Sequence, residues 1–151
     1  MAYSTIPAAK ARILVVLDAL PGLDGVLVQR GLPTDQPPER ERVYIDNAVD
    51  ISREWMMVGR RRLDESFTVR ILVETFLDGD DQTAGEDRMW TIVAEIEQAL
   101  ILDLTLNGIL TGNTERPSGI KPGGIEDQNS FPAPDGWISH AVLRMDCAAR
   151  I

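Results

Sequence analysis

Residues 66–77 read SFTVRILVETFL, and residues 78–100 continue DGDDQTAGEDRMWTIVAEIEQAL. The first stretch alternates. Phe67, Val69, Ile71, Val73 and Leu77 fall on one face of an extended chain, and Thr68, Arg70 and Glu74 on the other. Leu72 and Phe76 join the second face, so that face is expected to be partly covered. The second stretch changes period. Asp78-Gly79-Asp80-Asp81 reads as a turn, Thr83-Ala84-Gly85-Glu86 has the form of a capping box, and Met89, Ile92, Val93, Ile96 and Leu100 then recur at helical spacing. A half-apolar strand running straight into an amphipathic helix predicts an α+β fold.

Upstream, Trp55 to Val58, the basic turn Gly59-Arg60-Arg61-Arg62 and the strand from Ser66 to Leu77 form the pattern of a β-hairpin. Two short strand candidates precede it, Val26-Leu27-Val28 and Val43-Tyr44-Ile45, separated by a charged loop through Pro33, Pro37 and Pro38. At the start, Thr5-Ile6-Pro7 combines a capping hydroxyl with a first-turn proline. Ala9, Ile13, Val16, Leu17 and Leu20 follow on one helical face, until Pro21-Gly22 ends it.

Downstream, the second helix is expected to end near Asp103. Asn107-Gly108 reads as a turn, and Ile109-Leu110-Thr111 as a strand candidate. From Gly112 to Gly136, glycines at 112, 119, 123, 124 and 136 and prolines at 117, 122, 132 and 134 break any period. This predicts a long loop, dispensable for folding. The chain closes with Trp137 to Ala148, where Ala141, Leu143, Met145 and Cys147 alternate against His140, Arg144 and Asp146, a half-buried strand. The expected architecture is a single mixed or antiparallel sheet with a β-hairpin, packed by two α-helices, in one domain spanning residues 1–151.

The bulk properties agree with one ordinary domain: 151 residues, 44% hydrophobic and 26% charged. The opening residues do not form a secretory signal, because Lys10, Arg12 and Asp18 interrupt the apolar stretch. No run is long enough for a membrane span. A single cysteine offers no disulfide framework. The net charge of −9 argues against sequence-specific nucleic-acid binding, which usually needs a basic face.

Catalytic candidates are few. His140 and Cys147, the one histidine and the one cysteine, lie an odd number of residues apart on a predicted strand. They therefore face opposite sides and cannot form a dyad. His140 reads as a surface residue with no evident partner, and Cys147 as a small buried hydrophobe. The acids from Asp78 to Asp81 depart from a calcium loop at Thr83 and Met89, and they suit a helix N-terminus instead. Asp64-Glu65 and Glu126-Asp127 are adjacent carboxylates whose side chains diverge. No catalytic, cofactor-binding or metal site is expected.

The remaining candidate is an interface. Arg60, Arg61 and Arg62 concentrate positive charge in an acidic chain, and arginine pairs bidentately with carboxylates. Trp55, Met56 and Met57, beside this turn, read by default as core packing, with an interface edge as the alternative, since tryptophan and methionine favour such surfaces. A hairpin tip facing solvent and a hairpin tip facing a neighbouring subunit's acids both fit.

The run Glu54-Trp55-Met56-Met57-Val58-Gly59-Arg60-Arg61-Arg62-Leu63-Asp64-Glu65-Ser66-Phe67-Thr68-Val69 resembles the W…G…RRxDExF segment of siphophage tail terminators. Asp103-Leu104-Thr105-Leu106-Asn107-Gly108 is similar to that family's DPTLGG segment, and Ala141 to Cys147 resembles its final strand. The likeness covers about residues 8 to 148, departing at Leu104, where proline is usual, and in the Gly112–Gly136 insertion. It implies a mixed sheet with two helices and copies assembled into a hexameric ring. Such a ring caps the tail tube, ends its polymerisation and offers the head connector a joining surface. The implied partners are other copies, the tail-tube protein and head–tail connector proteins, with DNA only passing through the lumen and no membrane. The implied location is the head-proximal end of the virion tail, after assembly in the host cytoplasm. Two alternatives stay open: a neck or head–tail completion protein, and a ferredoxin-like small-molecule binding module with a concave polar pocket.

Overall fold

The structure, a computed structural model, describes residues 4–31, 41–56, 62–78, 82–110, 119–133 and 136–151. Helix α1 spans Ile6–Asp18, a 3-10 turn follows at Pro21–Leu23, and β1 runs Leu27–Arg30. Then come β2 (Glu41–Ile45), β3 (Asp50–Met56), β4 (Arg62–Asp78), α2 (Gln82–Ile101), β5 (Gly119–Ala133) and β6 (Gly136–Arg150). The fold is α+β: two helices and a six-stranded mixed sheet.

Strand β4 organises the sheet. It is 17 residues long, so it extends roughly 50 Å. One edge pairs along nearly its whole length with β6, from Asp64↔Arg150 to Asp78↔Gly136. The other edge is shared. Strand β3 takes the first part, Asp50↔Thr68 to Met56↔Arg62, and β2 the last, Glu41↔Thr75 to Ile45↔Ile71. The main path is β1-β2-β4-β6-β5, with β1 parallel to β2 and the other pairs antiparallel.

Alternation along β4 and β6 decides which side is core. Phe67, Val69, Ile71 and Val73 stand opposite Cys147, Met145, Leu143 and Ala141, and all are buried. They meet Met89, Ile92, Val93, Ile96 and Leu100 of α2 and Ile13 and Leu17 of α1 in one cluster. Each such side chain contributes about 1.5–3 kcal/mol on leaving water. Thr75, also on this face, donates its hydroxyl to the Gly85 carbonyl at 2.9 Å, tying α2 to β4. Buried Lys10 on α1 donates to the carbonyls of Asp46 and Asn47 at 3.0 and 2.9 Å, fixing α1 to the turn after β2.

Several local expectations are corrected. The Gly112–Gly136 stretch is not one long loop, because residues 119–133 form β5, paired with β6 from Gly119↔Ala148 to Ala133↔Gly136. Its glycines and prolines are compatible with an edge strand: Pro122 and Pro132 need no ladder donor on the open side. The register shifts between Pro122 and Ile125 and between Ile125 and Asp127 remove the period that would have revealed it.

Ile109 and Leu110 do not form a strand; they close the run of turns after α2, with the Leu110 amide bonded to the Thr105 carbonyl at 2.9 Å. Leu106, Asn107 and Gly108 have successive φ values of 47, 54 and 84°. The Ile109 and Leu110 amides are spent on the carbonyls of Leu106 and Thr105, within the turn itself, and so do not pair with a neighbouring strand. Thr111 lies outside the described residues.

Helix α2 begins at Gln82, which places Thr83 inside the first turn and removes it as a cap. Residues 79–81 of the expected acidic turn lie outside the described residues. Thr5 does sit at the N-cap of α1 but makes no side-chain cap bond; the Ser4 hydroxyl accepts from the Ile6 amide instead, at 3.1 Å. The hairpin arms are longer than expected, since β3 starts at Asp50 and β4 already at Arg62.

Candidate functional site

The β3–β4 hairpin carries the expected interface residues, and the structure places two of the four. Trp55 stands on β3 opposite Leu63 and is 59% exposed, whereas Leu63 is buried. Arg62 opens β4 opposite Met56. Arg60 and Arg61 lie outside the described residues, and Arg62, expected in a turn, belongs to the strand.

The hairpin shows residues that pattern reading passed over. Ile51, Arg53 and Trp55 are opposite Phe67, Glu65 and Leu63, so the three share one face of β3. Every residue from Asp50 to Trp55 is exposed. The alternation Ile51, Arg53, Trp55 was the available signal.

Below this strand lies a buried carboxylate. Glu65 has no exposure, and its Oε1 accepts from the Ser4 hydroxyl (3.1 Å), the Thr5 amide (2.9 Å) and the Thr5 hydroxyl (2.8 Å). Its Oε2 accepts from Arg53 Nε at 2.8 Å and Nη2 at 2.7 Å. Burial pushes the carboxyl up, but the donors from Thr5, Arg53 and Ser4 together outweigh it and hold the group below its ordinary range. Glu65 therefore stays ionised and joins the start of α1 to the exposed arm of the hairpin.

Its neighbour diverges, as adjacent strand residues must. Asp64 takes a two-pronged contact from Arg150, Nε to Oδ1 at 2.6 Å and Nη2 to Oδ2 at 3.0 Å. Glu126, the extra residue at a β5 register shift, reaches Arg70 Nε at 2.6 Å, and Arg70 also binds Asp50 at 2.7 Å. The neighbouring acids do not converge: Asp64, Glu65 and Glu126 are held by Arg150, Arg53 and Arg70 respectively.

The face of the sheet away from the helices holds His140 of β6, Glu74 of β4, and Arg42 and Tyr44 of β2. His140 does have a partner: its Nδ1 lies 3.6 Å from Glu74 Oε1. That is long for a hydrogen bond, and the short contact to Glu74 comes from Arg42 Nε at 2.6 Å, with the Tyr44 hydroxyl at 3.1 Å. His140, Arg42 and Tyr44 together overcome burial and hold Glu74 at about 2. Burial and the adjacent Glu74 push the Tyr44 hydroxyl up to about 12. Cys147 lies on the opposite, core face, where burial pushes its thiol up to about 12. The two residues of the candidate dyad are therefore kept apart by the sheet itself.

Two shallow hollows of about 350 and 420 Å³ meet at Ser66, Asp146 and Cys147. Their polar groups bind one another: Thr68 donates to Asp146 at 3.0 Å, and Arg144 donates to the same carboxylate at 3.0 Å. Among the described residues no buried side-chain nitrogen or oxygen lacks a partner, and no three potential metal ligands cluster. Among the same residues no helix is long and apolar enough to cross a membrane.

Helix α2 contributes a second exposed surface. Trp90 is 39% and Ile101 51% exposed. Asp87, Trp90, Ala94, Glu97 and Ile101 recur at three- and four-residue spacing along one flank, distinct from the buried face. Sequence reading placed only the buried face of this helix.

No protein-family model matches the sequence, and no curated protein is similar to it. The fold is similar to that of a chain from the virion of a native gene transfer agent particle, with a TM-score of 0.53. The similarity covers 98% of this chain and 100% of that chain at 17% sequence identity, a likeness of fold.

Proposed function

We propose that this chain is a structural component of a phage-like virion and, within it, the terminator that caps the tail tube as a ring. The observation that carries this reading is the end-to-end likeness in fold to a chain of a gene transfer agent virion. The W…G…RRxDExF run adds to it, since it includes the exposed end of β3 at Glu54 and Trp55 and the start of β4. In this reading copies assemble into a hexamer. The ring binds the end of the growing tube, denies the next tube subunit its docking surface, and presents its other side to the head connector.

A closed ring needs two different complementary patches on each subunit. Arg60, Arg61 and Arg62 are one candidate half, directed to acids of the neighbouring copy. The net charge of −9 suits a lumen that DNA crosses without adhering. Capping requires stoichiometric binding and no turnover, so the chain acts by surface complementarity.

Electron microscopy of the purified chain, alone and with its tail-tube protein, tests the assembly. Deleting the gene from its phage tests the role: filled heads without tails, together with tubes of uncontrolled length, are expected. Tails of normal length that fail to join heads would replace this reading with that of a neck completion protein.

A further inference from the structure

Among the described residues the sheet has three open edges, β1, β3 and β5, and they are not equally protected. Strand β5 is interrupted by Pro122 and Pro132 and by two register shifts, devices that discourage edge pairing and flat contacts. Strand β1 is four residues long. Strand β3 has neither proline nor glycine, and it exposes Ile51 at 55% and Trp55 at 59% on one face, with Arg53 between them. An apolar–cationic–apolar row of this kind on an unprotected strand is the composition of a protein interface.

The complementary chemistry is on α2. Trp90, Ala94 and Ile101 alternate with Asp87 and Glu97 along a flank roughly 80° wide at 100° per residue. This flank points away from α1. On the opposite flank Arg88 reaches the Gly22 carbonyl and Glu41 of β2. Since α2 also packs on β5, the Trp90 flank is turned to the β5 side of the subunit. Strand β3 lies on the β2 side of β4. The two surfaces occupy opposite sides of one molecule, and they match in kind: tryptophan and aliphatic groups on both, a guanidinium on one and carboxylates on the other.

We infer that the Ile51–Arg53–Trp55 face of β3 docks onto the Asp87–Trp90–Glu97 flank of α2 in a second copy of this chain. The contact is heterologous, so repetition generates a ring or a helix of subunits and not a two-fold dimer. It deepens the proposed function and rests on it, by naming a ring contact made of residues other than the arginine turn. Arg53 keeps its bonds to Glu65 in this arrangement, so the docking strand stays tied to α1.

Trp55→Cys and Trp90→Cys variants of the full chain test the contact with a short bismaleimide. Cys147 is buried and its thiol is pushed up to about 12, so the native cysteine stays silent. Co-refolding the two variants should give cross-linked dimers, and neither variant alone should. A chain carrying both changes should give a ladder that stops at the ring size. Asp87→Lys combined with Glu97→Lys, at exposed or half-exposed positions, should lose the ring in native mass spectra while the melting temperature holds.

Dimers cross-linked by Trp55→Cys alone would overturn the inference in favour of a two-fold contact. Rings that form without cross-linking would overturn it and leave the terminator reading standing. A chain that stays monomeric alone and with the tail-tube protein would overturn both.

Discussion

Thr5 gives both its amide and its hydroxyl to one oxygen of Glu65, 60 residues away, at 2.9 and 2.8 Å. The start of α1 is thereby held by a strand and not by its own cap. Because Glu65 has no solvent exposure and Arg53 shares its carboxylate, removing the acid leaves the half-buried donors of Ser4 and Thr5 without their acceptor. Glu65→Ala should cost about 1–3 kcal/mol, and urea unfolding checks it. A loss below about 1 kcal/mol, the level of an exposed pair, would mean that the network is not formed in solution.

Glu74 sets an acid limit. Its carboxyl is lowered from 4.5 to about 2 in the folded chain. A depressed carboxyl stabilises the fold above its unfolded value, and that contribution is lost as pH falls from about 4.5 towards 2. The full contribution is on the order of 3 kcal/mol, at about 1.4 kcal/mol per unit. Glu74→Gln should flatten the fall in stability across this window. An unchanged slope would move the acid sensitivity elsewhere.

Gly119 opens β5 with φ +128°, and a Cβ there would meet the Leu104 carbonyl oxygen at 2.6 Å. Gly25, at φ +79°, has nothing within 4 Å. Gly25→Ala should therefore cost only the left-handed strain of about 1–2 kcal/mol. Gly119→Ala should cost more, since the Ile120 amide bond to Leu104 at 2.7 Å must also shift. Equal midpoints in a denaturant titration would refute the close approach.

In the proposed ring, Arg60, Arg61 and Arg62 act in assembly and not in folding. Changing Arg60, Arg61 and Arg62 together to Glu should abolish rings in the electron microscope by like-charge repulsion across the contact. The monomer's melting temperature should stay close to that of the parent chain. Normal rings from the triple variant would remove the turn from the interface.

The sequence by itself determined the elements whose signal is local. The alternation of Phe67, Val69, Ile71 and Val73 is read from neighbours two residues apart, and the face Met89–Leu100 from neighbours three and four apart. Both periods follow from backbone geometry, and both faces are buried. The opposition of His140 and Cys147 was legible for the same reason.

Features that depend on a distant partner emerge only when the chain is folded. Gly119 to Ala133 has no strand period of its own, and it becomes β5 because β6 supplies the hydrogen-bonding ladder. Thr5 looked like a cap, but Glu65 offers its hydroxyl and amide a charged acceptor, and bonds to ionised groups are the stronger ones. Trp55 and Trp90 are both tryptophans in apolar patterns. That Trp55 stands exposed beside buried Leu63, and Trp90 on the uncovered flank of α2, depends on which elements pack over them, and no local period encodes that.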